Sequence, residues 1–208
     1  HGNNKSYEEL VMAVENKIGC IVVDNFYELS MLQRICREHS YVMPILLRVT
    51  PGIEAHTHDY ILTGQEDSKF GFDIQSGQAM EAMKLAQEAS NIELLGIHCH
   101  IGSQIFETTG FKLAAEKLFA TLKLWNEQEG FTAKVVNLGG GFGIRYTSED
   151  DPIPVSIYVE EIIGDVQKHV KDLQLEMPEI WIEPGRSIVG DAGTTIYSIG
   201  SKKEIPNV

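Results

Sequence analysis

The chain has 208 residues, 43% hydrophobic and 23% charged, which is enough for one sizeable core without requiring a second domain. Its 17 Lys and Arg against 30 Asp and Glu leave a net charge of −13, which opposes non-specific binding to nucleic acid or to an anionic membrane surface. No apolar run approaches the roughly 18 residues of a membrane span, the N-terminus lacks the regions of a signal peptide, and an odd set of three cysteines (Cys20, Cys36, Cys99) fits buried thiols in a reduced, cytoplasmic setting.

A helix is predicted over Ser6 to Lys17, with Ser6 as N-cap and Glu9 completing a capping box. Cys20 to Asp24 (CIVVD) reads as a short buried strand, and Tyr27 to His39 has helical spacing through Leu29, Leu32, Ile35 and Cys36. Pro44 to Val49 (PILLRV) is continuously apolar, as in a parallel sheet covered on both faces. A long polar connection, Thr50 to Phe72, carries Gly52, His56, His58 and Gly64; a connection of that length is usually functional or ordered by a partner. There follow a helix at Ser76 to Ser90, a strand at Ile92 to His100, a helix at Phe111 to Glu129, a strand at Lys134 to Leu138, a helix at Val155 to Leu173 and a strand at Glu179 to Glu183. Five strands alternating with helices predict α/β architecture built from right-handed βα units, and the turn-rich stretch after Gly190 reads as the beginning of a β element.

In such an array the C-terminal strand ends carry the chemistry. Arg48, His100, Gly139 to Gly141 and Glu183 to Arg186 all fall there. The run Gly139-Gly140-Gly141 lets backbone amides approach an anion, or else serves only as a tight turn; it is not a dinucleotide fingerprint, because the order GxGxxG is absent. Pro184, Gly185 and the forked Arg186 supply a second cradle one βα unit later, which favours a phosphate. Glu183 at an apolar strand tip either pairs with Arg186 or meets a protonated heterocycle. His98 and His100, two apart, point the same way and form a possible ligand pair for a metal-dependent barrel hydrolase, although few further ligands are available. His56 and His58 read as solvated loop residues, and Ser103 as a hydroxyl near the phosphate.

The motifs "GIHCHIGSQI", "NLGGGFGIRY" and "EPGRSIVG", with "HGNNKS" and "LRVTPG", closely resemble the diaminopimelate decarboxylases, members of the pyridoxal-phosphate decarboxylases built on the alanine-racemase-like barrel. The resemblance runs across essentially the whole chain and implies a partial (β/α)8 barrel of the TIM type over residues 1–190, with a C-terminal β domain beginning at 191–208. It implies a lyase that decarboxylates meso-diaminopimelate to lysine, with pyridoxal 5'-phosphate as cofactor and a homodimer as its usual assembly. By the same likeness His100 stacks on the cofactor ring, Ser103 and Gly139 to Gly141 hold its phosphate, and Glu183 pairs with the pyridine nitrogen. Arg186 contacts phosphate or substrate carboxylate, and Arg48 helps hold the ring region. Arginine and ornithine decarboxylases share EPGR-like motifs, and "HIGSQ" tilts the choice towards diaminopimelate.

The chain departs from the family at two points. The lysine that carries the cofactor covalently belongs to an upstream motif, which neither Lys5 nor Lys69 matches, and the family's cysteine motif would follow Val208. The chain therefore reads as an internal segment, expected to be catalytically incompetent by itself.

Overall fold

The computed structural model of the chain describes residues 1–53, 69–201 and 203. Its elements are α1 (Tyr7–Glu15), β1 (Ile21–Val23), α2 (Phe26–Glu38), β2 (Met43–Thr50), β3 (Phe72–Asp73), α3 (Gln78–Glu88), β4 (Ile92–His98), α4 (Thr109–Glu129), β5 (Val135–Gly140), α5 (Val155–Asp172), β6 (Glu179–Glu183) and α6 (Arg186–Val189), followed by a 3-10 turn at Gly190–Ala192. The capping box forms as expected: Ser6 Oγ accepts from Glu9 N at 3.2 Å, and Glu9 Oε2 accepts from Ser6 N at 2.7 Å. Asn25 caps α2 in the same way, accepting from Glu28 N at 2.9 Å. Gly130, at φ 67°, closes α4 in the left-handed conformation.

Five strands lie in the order β1-β2-β4-β5-β6, all parallel, and the two-residue β3 pairs in parallel with the end of β2. Every strand except β3 was expected. That pair of residues is too short for a periodic signal and follows the long polar connection.

Alternation along the strands sorts the core into two parts. Ile21, Val23, Ile45, Leu47, Val136 and Leu138 belong to the large cluster that the helices cover. Val22, Leu46 and Val135 lie on the opposite face in a small cluster, with Trp181 packed against them. The sheet is thus not covered by helices on both faces. One face takes the helical layer, and the other carries a thin apolar layer below and polar side chains above, as the inside of a barrel does. From α4, Phe111, Leu118, Phe119, Leu122 and Trp125 are buried, and each such side chain contributes roughly 1.5–3 kcal/mol on full burial.

After Ala192 the residues 193–201 form no helix or strand, and Ile196, Tyr197 and Ile199 are exposed. A strand requires a partner for its backbone, and none of the described residues supplies one here. At the other extreme of order, β5 ends on glycines set against backbone. A Cβ on Gly140 would come within 1.8 Å of the Glu183 carbonyl oxygen, whereas Gly164, exposed in α5, has nothing within 4 Å. The two glycines should therefore answer oppositely to alanine in thermal melts of the intact protein. Gly140→Ala is expected to destabilise by about 3 kcal/mol or more through overpacking, and Gly164→Ala to stabilise by roughly 0.5–1 kcal/mol through helix propensity.

Candidate active site

Strand register sets Arg48 beside His98, His98 beside Asn137 and Asn137 beside Trp181. Arg48 and Asn137 stand two residues beyond Leu46 and Val135, so they emerge from the same inner face, one layer higher. Glu183, two residues beyond Trp181, completes that layer at the end of β6.

Its carboxylate is held from three sides. Asn137 Nδ2 donates to Oε1 at 3.0 Å, His98 Nε2 lies 3.3 Å from Oε1 and 3.4 Å from Oε2, and His1 Nε2 is 3.2 Å from Oε2. Burial works to raise the Glu183 pKa, but the hydrogen bonds from His1 and His98 outweigh it and hold the carboxyl below the usual range. His98 is fully buried, and burial lowers its pKa despite the carboxylate. A neutral ring facing an ionised carboxylate must present its Nε2–H to it. That leaves His98 Nδ1 buried with no hydrogen-bond partner among the described residues. Arg186, the salt-bridge partner that spacing alone offered for Glu183, makes no part of this arrangement.

His100 follows on the same strand end and accepts from Gly140 N at 3.3 Å through Nδ1. Burial, reinforced by Arg48 and His98, brings its pKa down to about 4, so the ring is neutral at physiological pH. Among the described residues no three His, Cys, Asp or Glu side chains gather as a metal site. His98 and His100 are occupied by different partners, Glu183 and Gly140, which gives no support to the alternative of a metal-ligand pair.

The glycines have a reason apart from any ligand. Gly139 adopts φ 69° and Gly141 φ 97°, and a Cβ on either would come within 2.5 Å of Cys99 O or 2.1 Å of Gly102 O. The loops after β4 and β5 are then laced together. Ile105 N donates to Gly141 O and Gly143 N to Ile105 O, both at 2.9 Å. Gln104, at φ 56°, donates to Ile144 O at 3.0 Å and accepts from Ile144 N at 3.1 Å. The lacing puts Ser103 next to Gly141, and Arg186 reaches across to hydrogen-bond Ser103 Oγ, donating also to the Tyr146 hydroxyl at 3.1 Å. Nothing in residue spacing announced Gln104 or Asn137; the amide of Gln104 bonds the Ile144 backbone and that of Asn137 the Glu183 carboxylate, partners brought close only by the fold.

One open cleft collects the result. Its walls include His100, Ser103, Gly141, Glu183, Arg186 and Ile188, with Pro184 and Gly185 on the same side. Arg48 stays below it, 6% exposed, with Nη1 3.7 Å from Asp24 Oδ1 and its guanidinium 4.3 Å from the centre of the Phe70 ring. Lys5 is likewise turned away: Nζ lies 2.9 Å from Glu28 Oε1 and donates to Gly2 O and Val22 O at 2.7 and 2.9 Å. Lys69 Nζ sits 5.3 Å from the centre of the Phe70 ring. His56, His58 and Gly64 lie outside the described residues. The cysteines are free thiols, Cys36 and Cys99 buried and Cys20 half-buried, and burial pushes Cys20 and Cys36 up to about 11 and Cys99 to about 12.

Comparison with known proteins gives the family of the chain. Residues 1–190 match the family model described as pyridoxal-dependent decarboxylase, pyridoxal binding domain. Diaminopimelate decarboxylase of Bacillus methanolicus is 66% identical over 208 residues, 100% of this chain and 48% of that protein. The Bacillus subtilis (strain 168) protein of the same name is 60% identical over 208 residues, again 100% of this chain and 47% of its own length. A crystal structure of diaminopimelate decarboxylase from M. jannaschii in co-complex with L-lysine superposes with a TM-score of 0.81 at 36% identity, covering 90% of this chain and 42% of that one. The chain spans about half the length of the curated relatives it matches. It belongs to the pyridoxal-dependent decarboxylases, matching their pyridoxal-binding domain over residues 1–190.

Proposed function

We propose that the intact protein is a pyridoxal-phosphate-dependent carboxy-lyase that converts meso-2,6-diaminopimelate to L-lysine and CO2, and that the cleft between β4, β5 and β6 is its cofactor site. The observation that carries this reading is Glu183: a carboxylate at a strand end, kept ionised by hydrogen bonds, lining a cleft that also offers a hydroxyl and a guanidinium. The donor set suits pyridoxal phosphate. An ionised carboxylate matches a protonated ring nitrogen, a neutral imidazole presents a flat face, and Ser103, Gly141 and Arg186 match an anion. The relatives' name and the lysine in the M. jannaschii complex favour diaminopimelate over arginine or ornithine.

When bound, the cofactor supplies an electron sink for the pair released as CO2 leaves the substrate's Cα. The chain's own work is to hold and polarise. Glu183 accepts the ring N–H and so keeps that nitrogen protonated. His100 packs against the ring as a neutral group, which adds no cation next to a protonated heterocycle. Ser103, the glycines at 139 to 141 and Arg186 take the phosphate, with Pro184 and Gly185 shaping that end, and Arg186 is also placed to meet a substrate carboxylate. Arg48 acts from beneath, through the charge it sets under His98 and His100. The lysine that would carry the cofactor is assigned to a part of the intact protein outside these residues, since Lys5 and Lys69 are engaged elsewhere. We also place the intact protein in the cytoplasm as a homodimer, and residues 191–208 at the start of a β domain that would cover Ile196, Tyr197 and Ile199. No helix among the described residues is long and apolar enough to cross a membrane.

Three measurements on the intact enzyme check the assignment. Glu183→Gln should lower kcat by roughly 100- to 1000-fold, the scale of losing one preorganised electrostatic contact, while cofactor affinity changes far less; near-normal turnover refutes the role. His100→Phe, which keeps a flat face, should retain cofactor affinity that His100→Ala loses, as read by cofactor titration of the apoenzyme. Native His100 resists protonation until about pH 4, whereas an unfolded histidine titrates near 6.5. As pH falls through that window the unfolded state takes up protons the native state refuses, so stability falls. Urea denaturation at pH 7 and pH 5 should show that loss, and His100→Phe should reduce it.

A further inference from the structure

Asn137 lies within β5, 4% exposed, and its side-chain amide is used at both ends. Nδ2 donates to Glu183 Oε1 at 3.0 Å, and Oδ1 accepts from Gly139 N at 2.8 Å. Chemistry fixes this orientation, because an ionised carboxylate can only accept and a peptide N–H can only donate. Both ends are anchored. Gly139 is pinned by its left-handed backbone and its contact with the Cys99 carbonyl, and Glu183 by the pairing of its own backbone with Gly140. One buried amide therefore joins the Glu183 carboxylate to the turn whose last glycine also lines the cleft. His98, from the adjacent strand, braces the same carboxylate but makes no bond to the turn.

We infer that Asn137 is a positioning residue that locks the Glu183 carboxylate to the Gly139–Gly141 turn, fixing the separation between the ring-binding and phosphate-binding ends of the cleft. This rests on the pyridoxal-phosphate reading of the cleft. Asn137 touches neither ring nor phosphate; it acts through the groups that do. Removing it leaves Gly139 N buried without an acceptor and frees Glu183 to rotate away from the ring nitrogen.

The test uses intact enzyme loaded with pyridoxal phosphate labelled with nitrogen-15 in the ring, whose chemical shift reads ring protonation. Affinities of the apoenzyme for pyridoxal phosphate and for phosphate-free pyridoxal are measured alongside. For Asn137→Ala the protonated-ring signal should be largely lost, and pyridoxal phosphate affinity should fall roughly 10- to 100-fold, the scale of one hydrogen bond to a charged group. Pyridoxal affinity should fall less, because the phosphate's advantage depends on the linkage. Asn137→Asp provides a variant of the same size that keeps an acceptor for Gly139 and removes the donor to Glu183, so it isolates the lost bond if the alanine variant fails to fold. It should lose the ring signal too, since two carboxylates that close cannot both stay ionised. A wild-type ring signal in whichever variants fold, with both affinities lowered equally, overturns the inference and leaves Asn137 a purely structural residue. Glu183→Gln is the control. If it too leaves the ring signal unchanged, the pyridoxal-phosphate reading itself fails, and the inference with it.

Discussion

A carboxylate at the end of an apolar strand is expensive unless something donates to it, and this site is arranged around meeting that requirement for Glu183. The donors come from neighbouring strands because the parallel register aligns His98 with Asn137 and brings Gly140 against Glu183. The register in turn depends on glycine at 140, where any side chain would strike the Glu183 carbonyl. Backbone packing, hydrogen bonding and charge are thus one constraint seen at three scales. The glycines let the strands close up, closeness gives the donors their reach, and the donors keep the carboxylate ionised.

The same reasoning revises what the glycine run means. Three glycines in a row suggest room for an anion, yet Gly139, Gly140 and Gly141 each answer first to a carbonyl of a neighbouring segment. The lacing of Ile105, Gln104 and Ile144 then sets Ser103 beside the same turn, where the proposed reading puts the phosphate. On the proposed reading an anion pocket and a tight turn are therefore the same piece of chain.

Much of this was legible beforehand, because it rests on local signals. Strand and helix alternation follows from apolar periodicity, the capping box from Ser6 and Glu9, and the strand-end positions of His100 and Glu183 from the ends of their apolar runs. What escaped has a common cause. Gln104 looks like an ordinary polar residue until the loop after β5 brings the Ile144 backbone to its amide at 3.0 and 3.1 Å, and Asn137 does so until β6 brings the Glu183 carboxylate to 3.0 Å; that proximity belongs to the fold alone. Arg48, read at a strand end and therefore at the site, lies beneath it because Asp24 and Phe70 draw the guanidinium down. The covering of the sheet was half right for a similar reason: continuous hydrophobicity in PILLRV specifies burial on both faces without saying whether helices or a barrel interior provide it.

The central claim is that this cleft holds pyridoxal phosphate with its ring nitrogen on Glu183. A crystal structure of the intact protein with the cofactor tests it most directly. The account predicts the ring nitrogen within hydrogen-bonding distance of the Glu183 carboxylate, the His100 ring against the cofactor face, and the phosphate between Ser103, Gly141 and Arg186. A cofactor bound elsewhere, or one whose ring nitrogen faces solvent while Glu183 keeps only its protein partners, would contradict it.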